Sequence, residues 1–168
     1  MQKTVDSFRF ISGITRRMIK NWINLEKPRP IPWTPLTKPL SEYTVTLLSS
    51  AGIALKTDKP FDQDRERQNP WWGDPSYRVL PKTATEAEVR LYHLHIDPSY
   101  AEQDLNCLFP LQHLQTLENS GRIGQMSPRH YSLMGYILNP ERLLRETVPA
   151  LIRDLKADLA DVVVLVPA

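Results

Sequence analysis

The segment His93-Leu-His95-Ile-Asp97 puts two imidazoles and a carboxylate into five consecutive residues. Alternate residues of an extended chain share a face, so His93 and His95 would point the same way. His95-x-Asp97 also has the short spacing of a two-histidine, one-carboxylate iron site, with His113 or His130 as a distal ligand. A mononuclear metal enzyme using His93, His95 and Asp97 is therefore one reading. The plainer one needs no metal: one histidine in a structural hydrogen bond, the other packed at a strand end. Cys107, the single cysteine, sits between Asn106 and Leu108 ahead of Phe109-Pro110 and reads as a small buried residue rather than a nucleophile. It allows no internal disulfide, which fits a cytoplasmic location. There is no Walker loop, nucleophile elbow, zinc spacing or dinucleotide fingerprint, and no cofactor is expected.

The elements that must position these residues follow from patterning. Tyr43 to Ser49 alternates and is rich in β-branched residues, predicting a strand. It runs into Ser49-Ser50-Ala51-Gly52, where small residues let a backbone approach a ligand closely. A structural turn and a ligand loop fit that stretch equally. Val89 to Ile96 predicts a second long strand, and residues 111–119 a short helix stopped by Ser120-Gly121. After an apolar run from Tyr131 to Leu138, Asn139-Pro140 reads as N-cap and first residue of a helix reaching about residue 157. Pro149 must kink or restart it, because an interior proline lacks a backbone donor and clashes with the preceding turn. The turn Asp158–Asp161 leads into the terminal strand Val162–Val166.

A helix followed by a continuous apolar strand marks a parallel sheet covered on both faces. The expected fold is thus α/β, a mostly parallel sheet flanked by helices, in a single domain over 1–168 that lacks its C-terminal βα portion. In such sheets ligands sit beyond the carboxyl ends of the strands. Two extensions precede the sheet. Residues 5–25 repeat Phe8, Ile11, Ile14, Met18, Ile19 and Trp22 at helical spacing, predicting an amphipathic docking helix. Residues 26–42 are a Pro-rich extended arm anchored by Ile31, Trp33 and Leu36. Residues 56–77 form a long polar connection in which Trp71 and Trp72 either seal the core or line a pocket.

Net charge is +2 with no basic stripe, which gives no sign of a nucleic-acid partner. No apolar run reaches the roughly 18 residues of a membrane span, and the N-terminus has no signal-like apolar stretch.

Taken in order, "HLHIDPSYAEQDLNCLFPL", then "GRIG", then "HYSLMG" resembles the selenoprotein B family, which comprises glycine, sarcosine and betaine reductase component B and D-proline reductase. In that family a His-Gly-Gly-Tyr-Asp-Pro motif runs into Asn-x-x-x-Pro-Leu, followed by Gly-x-Ile-Gly and Tyr-Ser-x-x-Gly. His93, Asp97, Pro98, Asn106, Pro110, Leu111, Gly121, Gly124, Tyr131, Ser132 and Gly135 take those places. "VDSFRFISGITRRMI", "IPWTPLTKPLSE" and "NPWWGDPSYRVLP" resemble the shorter, D-proline-reductase-like branch. The resemblance implies reductive cleavage of a carbon–nitrogen bond in a small amino acid or amine. It implies a selenocysteine or cysteine nucleophile immediately after a strand like "VVVLVP", and a reductant protein or second reductase subunit as partner.

By that resemblance the nucleophile is the residue after Ala168, and Cys107 does not match it. Selenocysteine is encoded by UGA, so a frame stopped there would end one residue short; a true fragment or one half of a split protein is the other explanation. Either way these residues alone are expected to be inactive. His93 is the expected proton donor and Asp97 orients it or its loop. Ser49, Ser50, Gly52, Tyr131 and Ser132 are expected to line the cleft at neighbouring strand ends. A non-catalytic binding or scaffold protein of the same fold is the alternative. The oligomeric state stays open, an unpaired terminal strand favouring association.

Overall fold

The computed structural model describes residues 12–25, 30, 34–69 and 72–168. The chain divides into two compact units, Met1–Leu36 and Thr37–Ala168. In the first, Ser12 caps the helix α1 (Gly13–Leu25), its hydroxyl accepting the Thr15 amide at 3.2 Å. Phe8, Ile11, Ile31, Trp33 and Trp71 lie outside the described residues or side chains, as does the segment 5–11 of the expected docking helix.

The second unit runs β1 (Thr44–Ser49), β2 (Ile53–Leu55), α2 (Gln63–Gln68), β3 (Tyr77–Pro81), β4 (Val89–Leu91), α3 (Pro98–Gln103), α4 (Leu111–Asn119), β5 (Gln125–Met126), β6 (Arg129–Leu133), α5 (Val148–Ala157) and β7 (Val162–Val166). β1 is central. It pairs in parallel with β7 along its length, and on its other side with β5 at its start and β6 at its end. β3 closes the sheet antiparallel to β6, and β2 with β4 forms a separate antiparallel pair. The fold is α/β as expected, but the sheet is mixed rather than mostly parallel.

The break between β5 and β6 has a local cause. Pro128 has no amide to give a ladder, and the register slips by two residues, from Val45↔Met126 to Leu48↔Tyr131. Leu47 therefore loses a backbone acceptor at the slip. The His130 ring replaces it: Nδ1 accepts the Leu47 amide at 3.0 Å. Thr46 Oγ1 donates to the Arg129 carbonyl at 2.9 Å across the same gap. His130, one of the two candidate distal ligands, is thus a fully buried part of the sheet. His113, the other, is exposed on α4.

Val45 and Leu47 of β1 pack with Leu105, Phe109, Leu111, Leu114 and Met126, so α4 and the loop before it cover that side. Elsewhere Arg129 and Tyr131 of β6 reach the carboxylate of Asp158, just past α5, at 2.9 and 2.7 Å. β7 pairs in parallel with β1 over its whole length rather than standing unpaired, yet Val164 and Leu165 are 39% and 68% exposed, so the strand is not covered on both faces among the described residues.

Two further expectations change. The long strand Val89–Ile96 stops at Leu91, and 94–96 is a turn, so His93 and His95 do not share a strand face. The helix after Asn139-Pro140 begins as expected, with Asn139 Oδ1 accepting the Glu141 amide at 3.2 Å. The interruption expected at Pro149 comes one turn earlier as a π-helical turn, Leu143–Thr147, after which α5 restarts at Val148 with Pro149 in its first turn.

Candidate functional site at the carboxyl ends of the parallel strands

β1, β6 and β7 are parallel through β1, so their carboxyl ends lie together. At the end of β1, Ser50 stays tied to β7. Its amide donates to the Val166 carbonyl at 3.0 Å, and its hydroxyl accepts the Ala168 amide at 2.9 Å. The chain then crosses the end of β6: the Gly52 amide donates to the Leu133 carbonyl at 2.7 Å, and the Gly52 carbonyl accepts the Tyr92 amide at 2.9 Å. Gly52 has φ +65°, and a Cβ there would fall on Met134 Sδ. The turn therefore requires glycine for its backbone angle, and any side chain there would also have to displace the Met134 thioether.

His93 follows Tyr92 into the same space. A Cβ placed on Gly135 would lie 2.9 Å from the Ser50 carbonyl oxygen, 3.0 Å from the Ala168 carbonyl oxygen and 3.0 Å from His93 Nε2. Three polar atoms from three segments thus converge over one glycine. The Nδ1 of His93 accepts the His95 amide at 3.1 Å. With that nitrogen acting as acceptor, the neutral ring carries its proton on Nε2, facing the strand ends. Burial, and then the neighbouring His95, hold the His93 pKa below the usual histidine value. The site therefore presents a neutral N–H donor rather than a fixed cation.

The other residues expected at the cleft are placed as follows. Ser50 and Gly52 stand with His93. Ser49 and Ser132 are fully buried and brace the crossing backbone: Ser49 Oγ donates to the Leu108 carbonyl at 2.8 Å, and Ser132 Oγ accepts the Ile53 amide at 2.8 Å. Tyr131 is also fully buried and donates its hydroxyl to Asp158. Burial, reinforced by that bond, raises the Tyr131 pKa, so its hydroxyl stays protonated. Burial alone would raise the Asp158 pKa, but its bonds from Arg129 and Tyr131 win and hold it low. Asp97 is exposed and caps α3, accepting the Ser99 amide at 3.0 Å, a bond that lowers its pKa. Cys107, expected to be buried, is instead exposed on a 3₁₀ turn.

Among the described residues no three histidine, cysteine or carboxylate side chains are arranged to hold a metal ion. His93 and His95 rings are 5.8 Å apart at near right angles, and the Asp97 carboxylate is engaged in its cap. The geometry does not fit the metal set that the spacing suggested.

Two features leave no mark in the sequence. Gly135 ends HYSLMG, yet nothing in its type shows that polar atoms gather over it. Glu66 sits in the polar run QDRERQ, which reads as solvated helix, but its side chain is 2% exposed. A cleft of about 930 Å³ opens beside residues 58–65 and 72–79. Trp72 lines it beneath the Arg65 guanidinium at 4.4 Å. Its central charges are already engaged: Asp74 accepts the Asp62 and Ser76 amides, and Arg78 donates to the Lys59, Pro60 and Tyr77 carbonyls.

A family model described as glycine/sarcosine/betaine reductase selenoprotein B matches residues 11–167. The chain is 34% identical over 138 residues to the D-proline reductase subunit gamma of Acetoanaerobium sticklandii, covering 82% of this chain and 53% of that protein. It is 29% identical over 147 residues to the glycine reductase complex component B subunit gamma of Carboxydothermus hydrogenoformans, covering 83% and 32%. It is 31% identical over 99 residues to the betaine reductase complex component B subunit beta of Peptoclostridium acidaminophilum, covering 58% and 22%. The chain thus spans about half or less of the length of these relatives. No solved structure matches. Among the described residues no helix is long and apolar enough to cross a membrane.

Proposed function

Because the chain belongs to the glycine/sarcosine/betaine reductase selenoprotein B family, we propose that it forms the donor side of a reductase site that cleaves a carbon–nitrogen bond in a small amino acid or amine. The observation that carries this reading is the convergence of His93 Nε2 with the Ser50 and Ala168 carbonyls over Gly135. A neutral N–H beside backbone oxygens suits a substrate with a polar, amine-bearing end: the carbonyls accept from its nitrogen and the imidazole donates to its oxygen or leaving group. The selenol or thiol nucleophile is presented by backbone just beyond β7, next to Ala168, where a strand end feeding a helix N-terminus would lower its pKa. Residues 1–168 supply the pocket side of this site. The reductant is a dithiol or selenol–thiol pair, oxidised as the substrate is reduced. A second reductase subunit or a reductant protein is the partner, and the cytoplasm the setting.

Gly135→Ala tests the reading. The added methyl enters the space where the three polar atoms meet, while the backbone angle permits alanine. In the native reductase complex carrying this variant, substrate turnover should be lost; because the methyl presses on the Ser50 carbonyl at 2.9 Å, the unfolding midpoint should fall modestly while circular dichroism still shows a folded chain at the assay temperature. Normal turnover with alanine at 135 would place the reaction elsewhere.

A further inference from the structure

Glu66 is buried with both carboxylate oxygens lacking a hydrogen-bond partner among the described residues. Leaving a polar group sealed and unpaired is costly, and such a group invites an explanation. Among the described residues its ion-pair neighbour is His95, whose Nε2 lies 3.3 Å from Oε1, within ion-pair distance but without hydrogen-bond alignment. The His95 ring is half exposed. It lies 4.6 Å from the Tyr136 ring, on the residue after Gly135, and 5.8 Å from the His93 ring. The His95 amide also holds His93 Nδ1. A sealed carboxyl, an accessible imidazole and the His93 ring thus lie side by side, the two rings 5.8 Å apart.

We infer that Glu66 and His95 form an acid–base pair that delivers a proton to the departing nitrogen at the strand ends. This inference rests on the reductase reading above. His93 is suited to donate a hydrogen bond but poorly suited to be the proton source, because protonating Nδ1 would break its bond from the His95 amide. Reductive cleavage by a dithiol breaks the C–N bond, forms one C–H and one N–H bond, and leaves the two sulfurs (or sulfur and selenium) joined. The two electrons and, in net terms, the two protons come from that dithiol. His95 passes one proton to nitrogen and regains it from the thiol as that thiol ionises. Glu66 is the positioning residue that holds the ring and shares its proton. Burial raises the Glu66 pKa, and His95 and then Arg67 pull it back, with Asp74 pushing it up again. These groups, together with His93 facing His95, set the charge of the pair.

The test has two arms. In the full chain, the Glu66 side-chain carboxyl is titrated by carbon-13 NMR. Its midpoint should lie above the ordinary glutamate range and rise further in His95→Asn, because the imidazole that favours its charged form is gone. An unchanged midpoint overturns the pairing. In the native reductase complex with variants introduced at the gene, Glu66→Gln, an isosteric change checked for folding by circular dichroism, should lower turnover about 10²-fold and shift the pH–rate profile. A merely structural Glu66 would lower turnover without moving the profile, and an unmoved profile overturns the inference. His93→Ala separates the two failures. Inactivity of His93→Ala with an unmoved Glu66→Gln profile sinks the pair alone. Normal turnover of His93→Ala with a moved profile sinks the reading of His93 and keeps the pair.

Discussion

His93 and His130 are held by the same device and end in opposite surroundings. Each ring accepts a backbone amide at Nδ1, from His95 at 3.1 Å and from Leu47 at 3.0 Å, and each is left with its neutral proton on Nε2. Burial lowers the pKa of both, that of His130 to about 4. The Nε2 of His130 is sealed with no partner among the described residues, while that of His93 opens on the strand ends. A perturbed pKa therefore does not distinguish a functional histidine from a structural one here. What distinguishes them is what the second nitrogen faces.

Exchanging the two losses gives the sharpest break. His93→Ala should lower turnover of the complete reductase by about 10²–10³-fold, the effect of losing one hydrogen-bond donor at the reacting group, and cost the fold under about 1 kcal/mol. His130→Ala should destabilise the chain by roughly 2–4 kcal/mol, because it opens a cavity and leaves the Leu47 amide unpaired in the sheet. Steady-state kinetics and urea unfolding of both variants check the pair. Equal stability losses would erase the distinction between them.

The pH dependence of stability isolates His130. Its folded pKa of about 4 lies below its ordinary 6.5, so the unfolded chain binds the proton more readily. Stability is fully present above pH 6.5 and is lost as pH falls toward 4, by about 3 kcal/mol at most. His93 adds to that loss in the same sense. Glu66 acts oppositely: its folded pKa is raised, so its contribution is present at low pH and lost as pH rises through the raised value. The carboxylate of Asp158, held low, loses its contribution only below the ordinary aspartate range. Urea midpoints at pH 7 and pH 5 for the protein and for His130→Phe separate these. The variant should lose most of the difference, and a difference of the same size in both would remove His130 as its source.

This contrast also shows what the sequence could carry. β1, α4 and β7 were legible because alternation, helical spacing and terminating Gly121 are local signals. β4 was overextended because "VRLYHLHI" alternates past the point where Tyr92 turns to bond Gly52. Tertiary pairing with β2, which begins at Ile53 opposite Leu91, stops the strand there. His130 was unreadable as a sheet member because its role depends on a two-residue register slip between distant strands. Ser49, Ser50 and Ser132 were found together at strand ends, but side-chain direction separates the braces from the residue tied to β7. Glu66 gave no signal, since its burial comes from packing and not from its polar neighbours.

Asp97 offers the smallest effect and the finest distinction. Its carboxylate caps α3 through Ser99, and Pro98 stands in the first turn of that six-residue helix. Serine at an N-cap accepts the same kind of amide bond without a charge. If Asp97 serves His93 by fixing the loop that carries it, Asp97→Ser should keep near-normal turnover, and Asp97→Ala should fray α3 and lower turnover modestly. Hydrogen exchange of the Ser99 amide reports the cap, and kcat/KM reports the site. A large loss of kcat/KM in Asp97→Ser with the Ser99 amide still protected would mean that the charge itself acts on His93. The loop would then be part of the electrostatics at the strand ends as well as their support.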